Sequence, residues 1–220
     1  MALILNIETA TKNCSVAIAK DGQVIASREL ATDGYAHAEK LHVFIDDVLK
    51  TSGIAYGDLS AVAVSKGPGS YTGLRIGVSA AKGFCMALGI PLISVGTLQV
   101  LALKAKIADG VIVPMLDARR MEVYSAVYDV GHNLVRKVEA EIITADSLSG
   151  INSTIHIIGD CQPKIKTVLA GGRFIYHEDI VYPSAVDMAA PGFAKFKADQ
   201  FEDLAYFEPF YLKDFIAEKS

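Results

Sequence analysis

The first part of the chain alternates short apolar runs with turn residues, which is the pattern of an antiparallel sheet. The apolar positions fall in three runs, LILNIET, NCSVAIAK and QVIASREL. Asp21 and Gly22 separate the second run from the third. An Asp-Gly pair between strand-like runs favours a tight hairpin, because glycine accepts a positive φ. The sequence therefore predicts three antiparallel strands at the start of the chain.

The hydrophobic spacing then changes to that of helices. Between about residues 36 and 51, apolar residues fall on one side of a helix, and Gly53 stands where a C-terminal stop is expected. A second helix is predicted over about 70–88 and a third in TLQVLALKAKIA, with buried strands in SAVAVS and PLISV. The first part of the chain thus forms three strands followed by alternating helices and strands.

The same order recurs after Gly110 with shorter elements. Three strand-like runs, VIVPML, MEVYSAVYDV and LVRKVEAEII, precede a short helix in TADSLSGI, a strand in IHIIGD and a helix in PKIKTVLAGG. A further helix is predicted near 184–204, before the tail FEPFYLKDF. The repeated order predicts an α/β fold with two ribonuclease-H-like lobes. We expect a first lobe over 1–109, a reduced second lobe over 110–199, and a return of about 200–220 to the first.

Composition places the chain among ordinary soluble globular proteins. Of its 220 residues, 51% are hydrophobic and 21% charged, and the net charge of -4 argues against a broadly basic surface for nucleic acid. Cys14, Cys85 and Cys161 are odd in number and scattered, so we expect reduced thiols and a cytoplasmic protein. Asn6 and Glu8 interrupt the first apolar run, which predicts a buried strand, with no signal peptide or membrane span.

The segment KGPGSYTGLRIG, residues 66–77, resembles a phosphate-binding loop but fails each strict pattern. A Walker A loop requires a lysine where Leu74 stands, and a dinucleotide loop requires a third glycine where Thr72 stands. A serine-hydrolase turn around Ser70 would need glycine in place of Pro68. What remains is a turn whose Ser70 or Thr72 caps a helix, either alone or while also facing a nucleotide phosphate.

Small residues recur every four positions along the predicted second helix. They are Gly69, Gly73, Gly77 and Ala81. An interior helical glycine costs roughly 1 kcal/mol relative to alanine, so the close approach of another backbone must offset the loss. Two interpretations stay open: packing against this chain's own sheet or first helix, and a helix-to-helix interface with another chain. In the second case the helix HAEKLHVFIDDVLK would be the neighbour in the interface.

Candidate catalytic groups are few. Glu8 ends the first strand, where a carboxylate can meet a magnesium ion, although a solvated or capping role is favoured. His37 and His42 are five positions apart and cannot share a metal as an i, i+4 pair can, so no metal site is predicted. The charged cluster in LDARRMEVY is expected to be a solvated hairpin, with a salt-bridged hinge or a partner contact as the alternative.

Taken together, these segments resemble the bacterial TsaB (YeaZ) family, accessory subunits of the machinery that makes threonylcarbamoyladenosine in tRNA. The matching segments follow one another along the chain: LNIETATKNCSVAI, HAEKLHVFIDDVL, SKGPGSYTGLRIGVSAAKGFCMALGIPLISVGTLQVLA, LDARRMEVYSAVY and PFYLK. The resemblance implies the actin, sugar-kinase and Hsp70-like (ribonuclease-H-like) fold, with two lobes of which the second is reduced.

The resemblance also implies partners. It suggests a non-catalytic scaffold that pairs with a TsaD-like transferase, is joined by a TsaE-like ATPase, associates with tRNA indirectly, and forms homodimers through the same surface when isolated. The first two helices of the first lobe form the bundle with the transferase in this family. The implied partner-binding residues are His37, Lys40, Leu41, Phe44, Gly69, Tyr71, Gly73, Leu74, Gly77 and Ala81. ATP or ADP at the partner interface is the cofactor to consider, near Glu8, Thr9, Gly67, Gly69 and Ser70.

The chain departs from both related patterns at particular positions. TsaD-like chains carry HHMEGH after the strand that matches PLISV, whereas Gly96, Thr97 and Gln99 stand in this region without any histidine. A transferase or metalloprotease that uses those ligands is therefore not expected. Glu8 stands where TsaB proteins commonly have Asp, and Met121 where they have Gly. A stand-alone actin-fold ATPase or kinase remains the alternative, and a peptidase the weaker one.

Overall fold

The computed structural model of the chain describes residues 1–32 and 37–212. These residues form two compact units, each built around one sheet. Of the described residues, the first unit contains 1–100 and 183–210, and the second contains 101–182 and 211–212. No helix in the described ranges is both long and apolar enough to cross a membrane.

The first sheet has three antiparallel strands followed by two parallel ones. Its strands are β1 (Leu3–Glu8), β2 (Asn13–Lys20), β3 (Gln23–Ala31), β4 (Ala61–Ser65) and β5 (Leu92–Val95). Their order is β3-β2-β1-β4-β5, with β1 antiparallel to β2, β2 antiparallel to β3, and β1, β4 and β5 parallel. The predicted three-stranded antiparallel start is confirmed.

Three helices follow the strands of the first sheet: α1 (His37–Ser52), α2 (Tyr71–Leu88) and α3 (Thr97–Ala102). α2 begins where the Ser70 hydroxyl accepts a hydrogen bond from the Gly73 backbone N–H at 3.2 Å. It ends at Gly89, whose φ of 66° lies in the left-handed region that suits glycine. The predicted spans of the first two helices are confirmed, and Ser70 is the cap.

The second sheet repeats the arrangement of the first. Its strands are β6 (Val111–Asp117), β7 (Glu122–Tyr128), β8 (Leu134–Ile142), β9 (Ile155–Ile158) and β10 (Phe174–Tyr176), and the short helix α4 (Gln162–Ile165) lies between β9 and β10. The order is β10-β9-β6-β7-β8, with β6, β7 and β8 antiparallel and β6, β9 and β10 parallel. The predicted internal repeat is therefore confirmed at the level of sheet topology.

Two predicted helices of the second half are wrong or too long. Residues 145–150 form turns instead of the helix predicted in TADSLSGI, and Leu148 adopts a positive φ of 66°, which a helix does not allow. The helix predicted in PKIKTVLAGG is only the four residues of α4. β10, which pairs with β9, was missed. Short elements carry too few apolar positions for a clear period.

Two helices that pack on the first sheet are also shorter than predicted. α3 ends at Ala102, six residues before the end of the predicted TLQVLALKAKIA helix, and Lys104 and Ala105 continue only as turns. The helix predicted over 184–204 is α5 (Ala189–Lys197), which ends before Asp199, where φ is 50°. Left-handed backbone at a non-glycine residue ends a right-handed helix.

The two faces of the first sheet are covered by different helices. On one face the core includes Leu5, Ile7, Leu41, Ile45 and Val78, contributed by the sheet, α1 and α2. On the other face Ile4, Ile93 and Met188 are buried, and Phe193 and Phe196 of α5 pack against them. Each face thus buries its apolar side chains, which is the main stabilising contribution in such layered folds.

Packing of α5 moves the boundaries between the units from those predicted. Lys195 of α5 donates a hydrogen bond to the Ser94 carbonyl at 2.7 Å, and Asn13 of β2 donates one to the Pro183 carbonyl at 3.0 Å. Residues 183–210 therefore belong to the first unit, so the predicted second lobe over 110–199 loses its last 17 residues, 183 to 199. The first division falls at residue 100, where 109 was predicted. The predicted tail beyond residue 212 lies outside the described residues.

Candidate functional site

The turn after β1 is tied directly to the start of α2. The Thr9 hydroxyl donates to the Gly73 carbonyl at 2.8 Å, and the Ser70 N–H donates to the Ala10 carbonyl at 2.7 Å. Both α2 residues belong to the segment KGPGSYTGLRIG. Because the Ser70 and Gly73 amides are used within the chain, the segment acts as a helix cap in this structure. A nucleotide near it stays a prediction.

Three of the four small residues that recur before and along α2 are required by this same turn. A Cβ on Gly69 would lie 2.3 Å from the Ala10 carbonyl oxygen, and one on Gly73 would lie 2.1 Å from the Thr9 carbonyl oxygen. A Cβ on Gly77 would lie 2.2 Å from the Thr9 hydroxyl. These separations are far shorter than van der Waals contact. The glycine stripe is therefore explained by packing within the chain, the first of the two interpretations.

Six of the ten candidate partner-binding residues are buried in the first unit, and their predicted role at a partner interface stays a prediction. They occupy the inward faces of α1 and α2, which the first sheet and the turn after β1 cover. Lys40, Phe44, Gly69 and Tyr71 are half-buried and keep some exposed surface. The six buried residues are His37, Leu41, Gly73, Leu74, Gly77 and Ala81.

A different set of residues lies on the outer side of α1, α2 and the helical turn at Tyr56. We call it the α1–α2 outer face: His42, Val43, Tyr56, Gly83 and the half-buried Phe84. The Tyr56 and Phe84 rings stack with centroids 5.6 Å apart, and the His42 ring lies 6.0 Å from the same phenylalanine. Val43 is 53% exposed. No other atom lies within 4 Å of a Cβ built on Gly83, so close packing within the described residues does not explain that glycine.

Sequence reasoning missed Tyr56 and Phe84 as members of this face. Tyr56 lies outside the long elements, in a single turn of helix. Phe84 lies in α2, but helical periodicity alone does not show that its ring meets the Tyr56 ring. Only the fold, in which α1 and α2 are neighbours, places the segment that follows α1 beside α2.

Glu8 has a structural role at the turn. It is fully buried, and its Oε1 accepts a hydrogen bond from the Ala10 N–H at 2.6 Å. Burial raises the pKa of the Glu8 carboxyl to about 7, although the Ala10 N–H opposes the shift, and Asp187 nearby raises it further. In the described residues no group of three His, Cys, Asp or Glu side chains is placed to hold a metal ion.

The remaining candidate residues support the same turn and the adjacent loop. The buried His37 ring places Nε2 2.8 Å from the Thr11 carbonyl oxygen, and burial lowers its pKa, so the neutral ring donates this hydrogen bond. Gly67 has a φ of 113°, and a Cβ on it would lie 2.7 Å from the Phe210 carbonyl oxygen. Gly67 is therefore fixed by contact with the C-terminal segment of the first unit.

The charged hairpin in LDARRMEVY is organised by a lysine from outside it. Lys164 forms an ion pair with Asp117 and donates to the carbonyl oxygens of Arg120 at 2.7 Å and Glu122 at 2.9 Å. Arg119 and Arg120 both have positive φ, of 72° and 54°. The hairpin is thus a bridged turn, and a partner contact there stays a prediction.

Comparison with known proteins identifies relatives over nearly the whole chain. The family described as "TsaD: tRNA N6-adenosine threonylcarbamoyltransferase" matches residues 29–218. The "tRNA threonylcarbamoyladenosine biosynthesis protein TsaB" of Escherichia coli (strain K12) is 32% identical over 98% of this chain and 96% of its own length. The protein of the same name from Bacillus subtilis (strain 168) is 35% identical over 66% of this chain and 64% of its own.

Solved structures give the same fold. "YeaZ from Pseudomonas aeruginosa" superposes with a TM-score of 0.84 at 24% identity and covers 96% of this chain and 100% of its own. Together with the family match, the two sheets of like topology confirm the predicted actin-like, ribonuclease-H-like fold.

We expect opposite effects from the same substitution at two glycines of α2. Gly73→Ala should lower the free energy of unfolding by about 1–3 kcal/mol, because its Cβ overlaps the Thr9 carbonyl. Gly83→Ala should raise it by about 0.5–1 kcal/mol, because alanine is the better helix former and the site is open. Urea denaturation of both variants measures the difference, and equal effects would contradict the packing described here.

Glu8 should make stability depend on pH. Its folded pKa is about 7 and its ordinary value is 4.5, so the folded state binds the proton more tightly. The protonated Glu8 carboxyl therefore stabilises the folded state fully below pH 4.5, and this stabilisation is lost as the pH rises through about 7. Between about pH 5 and about pH 8.5 the loss should be about 2–3 kcal/mol.

Glu8→Gln provides the control for this dependence, because glutamine cannot ionise. Urea denaturation at both pH values should show that the variant lacks the extra loss seen in the wild-type chain. A pH dependence of the same size in both proteins would rule out Glu8 as its source.

Proposed function

The chain belongs to the TsaB (YeaZ) family, and on that premise we propose that it is a non-catalytic accessory subunit that pairs with a TsaD-like transferase. With a TsaE-like ATPase, the pair supports threonylcarbamoyl transfer to the tRNA adenosine beside the anticodon. As a family member, the chain takes part in tRNA threonylcarbamoyladenosine biosynthesis.

The α1–α2 outer face is the observation that carries the proposal. Gly83 forfeits roughly 1 kcal/mol of helix propensity relative to alanine, and nothing in the described residues fills the space its side chain would occupy. Tyr56 and Phe84 stack beside it, and Val43 exposes an apolar side chain. Aromatic side chains are enriched at the centre of protein interfaces, and a glycine there lets the backbone of a partner helix come close.

Charged residues border this apolar face, as they do in other non-obligate interfaces. Asp46 and Lys50 form an i, i+4 ion pair on α1 at 2.5 Å. Such an exposed pair adds little to stability. Its proposed contribution is to the orientation of an approaching partner, because charges at the rim affect association more than affinity.

In this chain, the segment at the start of α3, which matches the histidine run of TsaD-like chains, forms a buried hydrogen bond. The Thr97 hydroxyl is 2.7 Å from the Ser65 hydroxyl, and both residues are buried. This hydrogen bond joins the start of α3 to the end of β4. Together with Glu8, which is bonded to its own turn, it supports a role in which catalytic groups come from the partner.

The proposed function predicts that the chain is required for the reaction of its partner. Purified TsaD-like, TsaC-like and TsaE-like proteins are assayed for modification of tRNA with and without this chain. We expect modification to depend on its presence, and full activity without it would contradict the proposal. ATP turnover by the isolated chain, abolished by Glu8→Ala, would favour the stand-alone ATPase or kinase instead.

Gly83→Leu should weaken binding to the transferase at least about tenfold, because a bulky side chain prevents close backbone approach. Gly172→Leu is the matched control: it also adds leucine where no other atom lies within 4 Å, but in the second unit. Isothermal titration gives the affinity, and thermal melting checks that both variants remain folded. Equal affinities of the two variants would place the interface elsewhere.

A further inference from the structure

The C-terminal segment of the first unit, residues 201–210, is held in place although it contains no helix and only one isolated strand bridge. Hydrogen bonds fix it at three separate points on β5, α2 and the residue after β4. They join the Glu202 N–H to the Leu92 carbonyl at 2.9 Å, Lys82 Nζ to the Ala205 and Phe207 carbonyls at 3.2 and 3.0 Å, and the Phe210 N–H to the Lys66 carbonyl at 2.7 Å.

This fixed segment nevertheless exposes aromatic rings. Tyr206 is 84% exposed, whereas Phe201 and Phe210 are 39% and 41% exposed. A ring that is anchored through its backbone loses little further conformational entropy when a partner covers it. Exposed aromatic residues on a rigid support are therefore favourable contacts for another molecule.

Acidic groups surround these rings. The segment borders an open depression of ≈ 430 Å³ whose lining residues include Glu202, Asp203, Glu208 and Lys66. Glu202 accepts a hydrogen bond from the Ser94 hydroxyl, and Asp203 Oδ1 caps the Ala205 and Tyr206 amides. The formal charge of the lining is negative, because three of its residues are acidic and one is basic.

We propose that residues 201–210 form a docking patch for a basic side chain, arginine or lysine, of another protein in the tRNA-modification complex. The cation lies over the Tyr206 ring, and the Glu208 carboxylate balances its charge. Cations are attracted to the face of an aromatic ring, and arginine stacks on it most readily. An RNA backbone is disfavoured, since the carboxylates repel phosphate. The inference rests on the proposed function, which supplies the partners.

The patch and the α1–α2 outer face share a support. Lys82 of α2 anchors the segment, while the adjacent residue Gly83 belongs to the outer face. Consecutive residues of a helix point about 100° apart, so the two surfaces lie on neighbouring sides of one turn of α2. This proximity favours a protein of the same complex as the occupant. In that case the patch adds recognition of a positive charge to the apolar contact at the outer face.

The test compares full-length variants in titrations against the purified TsaD-like transferase and, separately, the TsaE-like ATPase. Tyr206→Ala should weaken binding to one of these proteins about fivefold, and Tyr206→Phe, which keeps the ring, should retain it. Glu208→Gln should weaken binding to the same protein at low salt and make it less sensitive to added salt. Glu139→Gln, an exposed substitution in the second unit, is the matched charge control.

The outcomes separate this inference from the proposed function. If the wild-type chain binds neither protein, both proposals fail. If it binds and Tyr206→Ala changes neither affinity, only the docking patch is overturned. An effect of Tyr206→Ala confined to self-association would instead make the patch an interface between copies of this chain, and an effect confined to tRNA binding would also overturn the inference.

Discussion

Contact between the main chain of Thr9 and Ala10 and the glycine face of α2 positions the rest of the candidate site. Side chains at Gly73 and Gly77 would overlap this turn, so the helix can lie against it only because they are absent. Glu8 holds the turn from β1, and His37 holds it from the start of α1. One turn thus fixes where both helices begin, and with them the direction of their outer surfaces.

The glycine spacing predicted that another backbone lies close to α2 but could not identify that neighbour. Thr9 and Gly73 are 64 positions apart, and only the parallel pairing of β1 with β4 brings them together. By sequence pattern alone, Gly77 and Gly83 are equally suitable for an interface, but Gly77 faces the Thr9 hydroxyl. Leucine at position 77 would therefore disturb the fold before it could report on a partner. The candidate site moves to the opposite side of the same two helices.

The succession of strands along the first unit and its two long helices followed from hydrophobic period and turn chemistry, because these elements contain enough apolar positions to show their period. The short elements could not be predicted in this way. Leu148 interrupts a sequence that otherwise suits a helix, and α5 covers a sheet face whose need for a covering layer is visible only once the sheet exists. The segment 201–210 is held by hydrogen bonds to main-chain carbonyls and by packing of Leu204 and Phe207 against the core. Because it contains no helix or strand, its side-chain pattern shows no period that would place it in the first unit.

An accessory role means that this chain contributes a surface while the partner contributes the chemistry, so the central claim concerns where the partner lies. A photoreactive benzoyl-phenylalanine placed at Val43, on the α1–α2 outer face, tests it directly when the chain is irradiated with the TsaD-like transferase. Val135, 63% exposed on β8 of the second unit, is the comparison position. The account predicts a crosslinked heterodimer from position 43 and none from position 135. A crosslink from position 135 alone would contradict it.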